Sequence, residues 1–189
     1  MCSFFGYILS EKLGLWRPFA FDKAKVMKTV CISVIVGIIF SLDYWTFGSV
    51  EPMIQESTRT AAMSLSAVTA SILYGGINEE ILMRLFFMPF IAWAIWKTVY
   101  RKNTRENLPQ SIFVIANVVA AFLFAAGHLP VTINAFGALT PLILFRCFLL
   151  NGGFGLVFGR FYRKYGIGYA MLSHMLVHIV SKMIWYLFI

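Results

Sequence analysis

Two adjacent glutamates, one arginine and three histidines are the residues of this 189-residue chain whose types and spacing could do chemistry. Glu79, Glu80 and Arg84 lie together in GGINEEILMRLFF, His128 ends AFLFAAGHLP, and His174 and His178 stand four apart in MLSHMLVHIV. Every one sits in or at the edge of an apolar run. A carboxylate at the centre of a membrane helix costs about 2.5–3.5 kcal/mol on insertion scales, so these charges must be paired, hydrated or both. Glu80 and Arg84 share one helical face and can form an ion pair. Glu79 is rotated about 100° from Glu80 and can face a different partner. The pair thus divides into one structural and one chemically available carboxylate. The bland alternative is a packing network between helices. The histidines weigh against it, because none lies in a loop. Glutamate with histidines in a low-dielectric cavity suits water activation, with imidazole orienting water or stabilising an oxyanion.

The elements that must position these groups are membrane helices. Hydrophobic residues make up 60% of the chain and charged residues 13%, against roughly 45–50% and about 25% in soluble domains. The net charge of +8 is confined to short segments between apolar runs, which is a topology signal and argues against nucleic acid as a partner. Cys2, Cys31 and Cys147 are odd in number and widely spaced, so no disulfide framework or CxxC metal site follows.

Apolar runs occur at Val30–Val50, Ala61–Tyr100, Ser111–Gly127, Thr140–Phe158 and Ile167–Phe188. A crossing takes about 20 residues, so the expected fold is an all-α polytopic transmembrane bundle of about five to six membrane helices around an internal site. Residues 1–29 read as an amphipathic segment leading into the first span, and residues 1–189 as a single transmembrane domain. Ala61–Tyr100 is twice one span. Basic segments alternate with non-basic ones only if it crosses once, as a long helix bent near Gly75–Gly76 and Pro89. That alternation places the N-terminus in the cytoplasm, and a prokaryotic plasma membrane is the expected location. On this topology His128 lies near the outer end of its helix and His174 about two turns from the inner end of its own. They meet if helices tilt, or if residues 129–139 are irregular and line a cavity within the membrane.

Three short patterns now stand in order: Glu79-Glu80-Ile81-Leu82-Met83-Arg84, Phe124-Ala125-Ala126-Gly127-His128 and His174-Met175-Leu176-Val177-His178. They resemble the EExxxR, FxxxH and HxxxN motifs of the CAAX protease and bacteriocin-processing family, also called Abi, which includes the Ras-converting CAAX endopeptidases. The resemblance covers roughly Tyr74 to His178 and marks residues 74–178 as the motif-bearing protease core. It implies peptide-bond hydrolysis inside an all-α bundle. By resemblance, Glu79 is the water-activating base, His128 and His174 complete the water and oxyanion site, Glu80 pairs with Arg84, and Phe124 supports His128. The implied partners are a peptide or membrane-protein substrate and the lipid bilayer.

The chain departs from the family at its last motif position, where His178 replaces asparagine. Histidine can donate a hydrogen bond there. It also completes a Glu79/His128/His174/His178 set that zinc would accept. Metal-free glutamate catalysis is the leading expectation and the zinc-dependent version stays open. The family commonly has further N-terminal membrane helices, so this chain reads as a short form or a piece. Asp43, Arg146, Asn151 and Lys182 read as structural polar residues, with Arg146 and Asn151 also candidates for a substrate path. Gly155 and Gly159 form a GxxxG pattern suited to close helix packing within the bundle. Two non-protease readings also stay open: an immunity or scaffold protein that binds a peptide or membrane partner, and a proton or ion conduit using the same glutamate and histidines.

Overall fold

Local capping chemistry sets where the helices begin and end. In the computed structural model, which describes residues 1–189, the chain is helical throughout and has no strand. Helix α1 is Cys2–Lys12. Helix α2, Lys23–Ser41, starts where Asp22 Oδ1 accepts from Ala24 N at 2.9 Å and Lys25 N at 3.1 Å, an N-cap that satisfies two otherwise orphaned amides. Helix α3, Pro52–Met63, opens with proline in its first turn. Helix α4, Leu65–Thr98, is capped by Ser64 Oγ, which accepts from Ala67 N at 3.3 Å. Helix α5 is Gln110–Gly127 and α6 is Leu129–Phe136. Helix α7, Pro141–Tyr165, is capped by Thr140 Oγ1 accepting from Ile143 N at 3.2 Å. Gly166, at φ +99°, separates it from α8, Ile167–Phe188. That left-handed value is one that glycine alone adopts without strain.

Five segments are long and apolar enough to cross a membrane: Lys23–Val50, α4, the pair α5–α6 running Gln110–Phe136, α7 and α8. The outer faces carry exposed Ile32, Ile35 and Ile39 on α2 and Val114, Ile115 and Phe122 on α5. In water this surface would be untenable; in a bilayer it is the lipid face. The chain is a multi-pass integral membrane protein with an all-α helix bundle.

Small and hydroxylated residues bring the helices together, as expected where lipid offers no hydrophobic gradient between helices. On α2, Thr29, Ser33, Gly37 and Ser41 are buried at intervals of four. Ser33 Oγ donates to Ser173 Oγ at 2.8 Å, and Trp185 Nε1 donates to Ser41 O at 2.8 Å. Gly37 lies so close to α8 that an added Cβ would stand 2.7 Å from Val180 Cβ. Gly155 and Gly159 of α7 pack in the same way on Ala121 and Asn117 of α5, inside the bundle.

Two elements differ from the sequence reading. The run after Gly127 is not irregular: Leu129–Phe136 forms α6, ended by Gly137 at φ +74°. Its amides are satisfied internally, as the low charge of the segment requires at membrane depth. The segment 51–60, which the charge pattern marks only as a loop, is helical together with the first residues of the run that follows, as α3. Its buried Ile54, Thr58 and Ala62 recur every four residues, the period of one helical face.

Candidate active site

Helix α4 crosses once, as one continuous helical element, but its winding changes where the glutamates are. Ser71–Glu79 and Ile81–Phe87 have π-helical hydrogen bonding, which widens the turn and is rare outside functional segments. The widened stretch contains Gly75–Gly76 and ends two residues before Pro89, so the irregularity expected there takes the form of altered winding. Pro89 has no N–H to offer the carbonyl of Leu85. Ser10 Oγ of α1 approaches that carbonyl at 3.3 Å and also lies 2.7 Å from Tyr162 Oη. Gly6 permits the approach, since a Cβ there would fall 2.5 Å from Leu85 O. Helix α1 is therefore a buttress on the motif helix, where the sequence pattern suggested only an amphipathic lead-in.

Glu80 and Arg84 point into the protein and are 0% and 1% exposed. Glu80 Oε1 lies 3.1 Å from Arg84 Nη1. The same oxygen lies 2.8 Å from His174 Nδ1. Arg84 Nη2 donates to Gly155 O at 3.0 Å, and its guanidinium lies over the Phe124 and Phe158 rings at 4.7 and 5.5 Å. An arginine with a carboxylate, a carbonyl and two ring faces is held in one orientation.

Glu79 faces the other way, into a cavity of about 260 Å³ whose lining includes Tyr74, Gly75, His128, Asn151, His174 and His178. Its side chain is 21% exposed, with Oε1 3.9 Å from His128 Nε2 and Oε2 4.0 Å from His174 Nε2. His128 and His174 therefore meet at Glu79. The His128 backbone N–H bonds to Ala125 O, and its ring folds back so that Nδ1 reaches Phe124 O at 2.8 Å. Phe124 also meets this ring edge to face, with centroids 4.6 Å apart.

These contacts fix the proton inventory. A carbonyl only accepts, so His128 Nδ1 carries the hydrogen, and in the neutral ring Nε2 is a lone pair facing Glu79. As a carboxylate opposite Arg84, Glu80 likewise takes the Nδ1 hydrogen of His174. His174 Nε2 then accepts from His178 Nε2, 3.2 Å away. Phe158 stacks on His174 at 4.3 Å and 15°. The buried Nδ1 of His178 has no hydrogen-bond partner. Around Glu79 the fixed groups are thus acceptors, and a water entering there supplies the missing donors.

The four side chains Glu79, His128, His174 and His178 line one cavity. As they stand, no group of three or more acidic, histidine or cysteine side chains is arranged to hold a metal ion. Arg146 is taken up elsewhere: its Nε and Nη2 reach the Asp43 carboxylate at 2.7 and 2.5 Å. Asn151 donates from Nδ2 to Cys147 O at 3.1 Å and lines both the Glu79 cavity and a neighbouring one of about 200 Å³ that also reaches His128 and Arg146. Lys182 lies over the Trp185 ring at 5.1 Å. Sequence reasoning read Gly75 only as part of a bend and passed over Phe158 and Ser10. Gly75 had a visible signal, standing one turn before Glu79 where a side chain would block the cavity wall. Phe158 and Ser10 had none, because their partners come from distant helices.

No curated protein and no solved structure matches the chain. The profile described as "Type II CAAX prenyl endopeptidase Rce1-like" matches residues 61–180, a stretch that holds the glutamates, the arginine and all three histidines. With that match spanning more than half of the sequence, the chain belongs to the Rce1-like family of type II CAAX prenyl endopeptidases, which are intramembrane proteases.

Proposed function

We propose that this protein is an intramembrane endopeptidase that hydrolyses a peptide bond with a water activated by Glu79. The observation that carries this reading is the position of the Glu79 carboxylate, 3.9 and 4.0 Å from two histidine nitrogens. Those gaps are too long for direct hydrogen bonds and leave room for a water bonded to both sides at about 2.8 Å. Glu79 takes one proton from that water as its oxygen bonds to the scissile carbonyl carbon. His128 Nε2 holds the water by accepting its second hydrogen, the carbonyl electron pair moves to oxygen, and the Nε2–H of His178, turning from His174 Nε2, stabilises it. Collapse of that intermediate breaks the C–N bond, and the proton on Glu79 passes to the leaving amine. Glu80 and Arg84 are positioning residues that hold His174.

The substrate is a peptide or membrane-protein segment reaching the site within the bilayer. The charge alternation supports a cytoplasmic N-terminus, and a prokaryotic plasma membrane is the location we propose. The purified protein in proteoliposomes should cleave a membrane-anchored peptide reporter, and His128→Ala should lose that activity. Cleavage undiminished in His128→Ala would contradict the assigned site.

A zinc-dependent form of the same protease is favoured by one observation. Histidine ligands commonly have their second nitrogen on a carboxylate, as His174 does on Glu80. The two Nε2 atoms, 3.2 Å apart, have about the spacing of two ligands on one tetrahedral zinc with bonds of about 2.0–2.1 Å. Stoichiometric zinc in the purified protein, with activity lost to a strong chelator, would establish this form.

A further inference from the structure

At the end of the bundle where α7 gives way to α8, a second cavity of about 610 Å³ shares no residue with the Glu79 cavity. Arg17, Arg105, Arg160, Arg163 and Lys164 line it, against one carboxylate, Glu106. These residues come from three separate stretches of the chain. Arg17 follows α1, Arg105 lies between α4 and α5, and the other three end α7.

The cavity is built by anchored groups. Leu13 and Leu15 are buried in the main core, and Gly14 between them turns at φ +68°, so the segment leading to Arg17 is fixed across the bundle end. Arg17 Nη1 donates to Lys164 O at 2.6 Å. Arg163 Nη2 donates to Gln110 Oε1 at 3.1 Å, and its guanidinium lies 5.8 Å over the Phe113 ring. Arg105 meets Glu106 at 3.3 Å; the other four cations have no carboxylate partner. Topology alone explains basic residues at this end of the protein. It does not explain their convergence on one concave site of ligand-pocket size, about 300–1,000 Å³. Like charges held this close repel unless an anion sits among them.

We infer that this cavity binds the phosphate of an anionic phospholipid headgroup. It lies beside the junction of two membrane helices, at their ends, and basic pockets between membrane helices suit such headgroups. Guanidinium groups match phosphate oxygens in geometry as well as charge. The inference does not depend on the proteolytic reading, since the two cavities are separate.

The test is a thermal-shift titration of the full-length protein in uncharged detergent. The probes are dihexanoyl phosphatidylglycerol, dihexanoyl phosphatidylcholine and glycerol 3-phosphate. The phosphatidylglycerol should raise the unfolding midpoint saturably and the zwitterionic lipid should not. Arg160→Gln removes an exposed cation and should weaken the apparent affinity about fivefold, near the usual contribution of one basic residue at an anionic surface. Arg105→Gln provides a second variant should the first unfold. Lys97→Gln, a basic residue outside the cavity, should change nothing. Equal shifts with both lipids, or equal weakening by Lys97→Gln and Arg160→Gln, would overturn the site. Glycerol 3-phosphate matching phosphatidylglycerol would overturn the lipid as the source of the phosphate.

Discussion

His174 and Glu80, 94 residues apart in sequence, meet at 2.8 Å through Nδ1 and Oε1 in the interior of the bundle. The contact fastens the last motif helix to the first, and it sets which nitrogen of His174 is left to face Glu79. Glu80 therefore serves the site twice, because the same oxygen holds Arg84 at 3.1 Å.

Removing the Glu80 charge should cost both stability and activity. Glu80→Gln leaves Arg84 buried with its charge uncompensated, and breaking such a pair costs about 3–5 kcal/mol. A marked fall in the detergent unfolding midpoint is expected. Glu80→Gln/Arg84→Met should recover much of the midpoint, since the uncompensated charge is gone, yet remain slow in cleavage because His174 has lost its carboxylate. A double variant with full activity would show that the His174 contact has no role in turnover.

Gly75 should be a functional position with little structural weight. An added Cβ would stand 3.3 Å from both His174 Nε2 and His178 Nε2, displacing the rings by a few tenths of an ångström. Gly75→Ala should lower the cleavage rate about tenfold or more, because small misplacements at a reacting centre are costly, while the unfolding midpoint moves little. Rates and midpoints of the same preparation check both parts.

Gly159 and Asn117 should behave as a coupled pair. A Cβ at Gly159 would collide with the Asn117 side chain, whose Nδ2 donates to Leu156 O at 3.1 Å. Gly159→Ala should destabilise by about 1–3 kcal/mol, as overpacking does. Gly159→Ala/Asn117→Ala should be more stable than the sum of the single effects predicts. Additivity in an unfolding double-mutant cycle would contradict the close packing.

Asp22 lies outside the membrane segments, and its hydrogen bonds to the backbone of Lys25 and Ala24 hold its carboxyl below the ordinary carboxylate range. A depressed folded value means its stabilisation is present above the unfolded pKa and fades as pH falls through the folded one. Asp22→Ala should therefore lower the unfolding midpoint at neutral pH, and the gap from the wild type should close on acidification below the carboxylate range. A gap independent of pH would assign the effect to something other than the ionised cap.

The helical spans and the three motifs were legible in the sequence because each rests on local pattern. Apolar length marks the spans, and charge marks the residues that lipid would not tolerate. The continuity of α4 as one long helix was legible too, since two crossings would break the alternation of basic segments such as Arg101, Lys102 and Arg105 with the non-basic ones. The π winding around Glu79 was not, because apolar spacing marks a helical face and does not report where the backbone hydrogen bonds widen. Helix α6 was hidden by Pro130, which reads as a breaker but sits in the first turn, where proline is tolerated. The Glu80–His174 contact was out of reach for another reason: spacing reports neighbours four residues away and says nothing of helices 94 residues apart.

The most direct test of the central claim is the single-turnover cleavage rate of Glu79→Gln in proteoliposomes, measured beside its unfolding midpoint. The account predicts a loss of about 10²–10⁴-fold, the range for removing a general base, with the midpoint preserved because Glu79 faces the cavity and holds no helix. A folded Glu79→Gln protein that cleaves at the wild-type rate would contradict it.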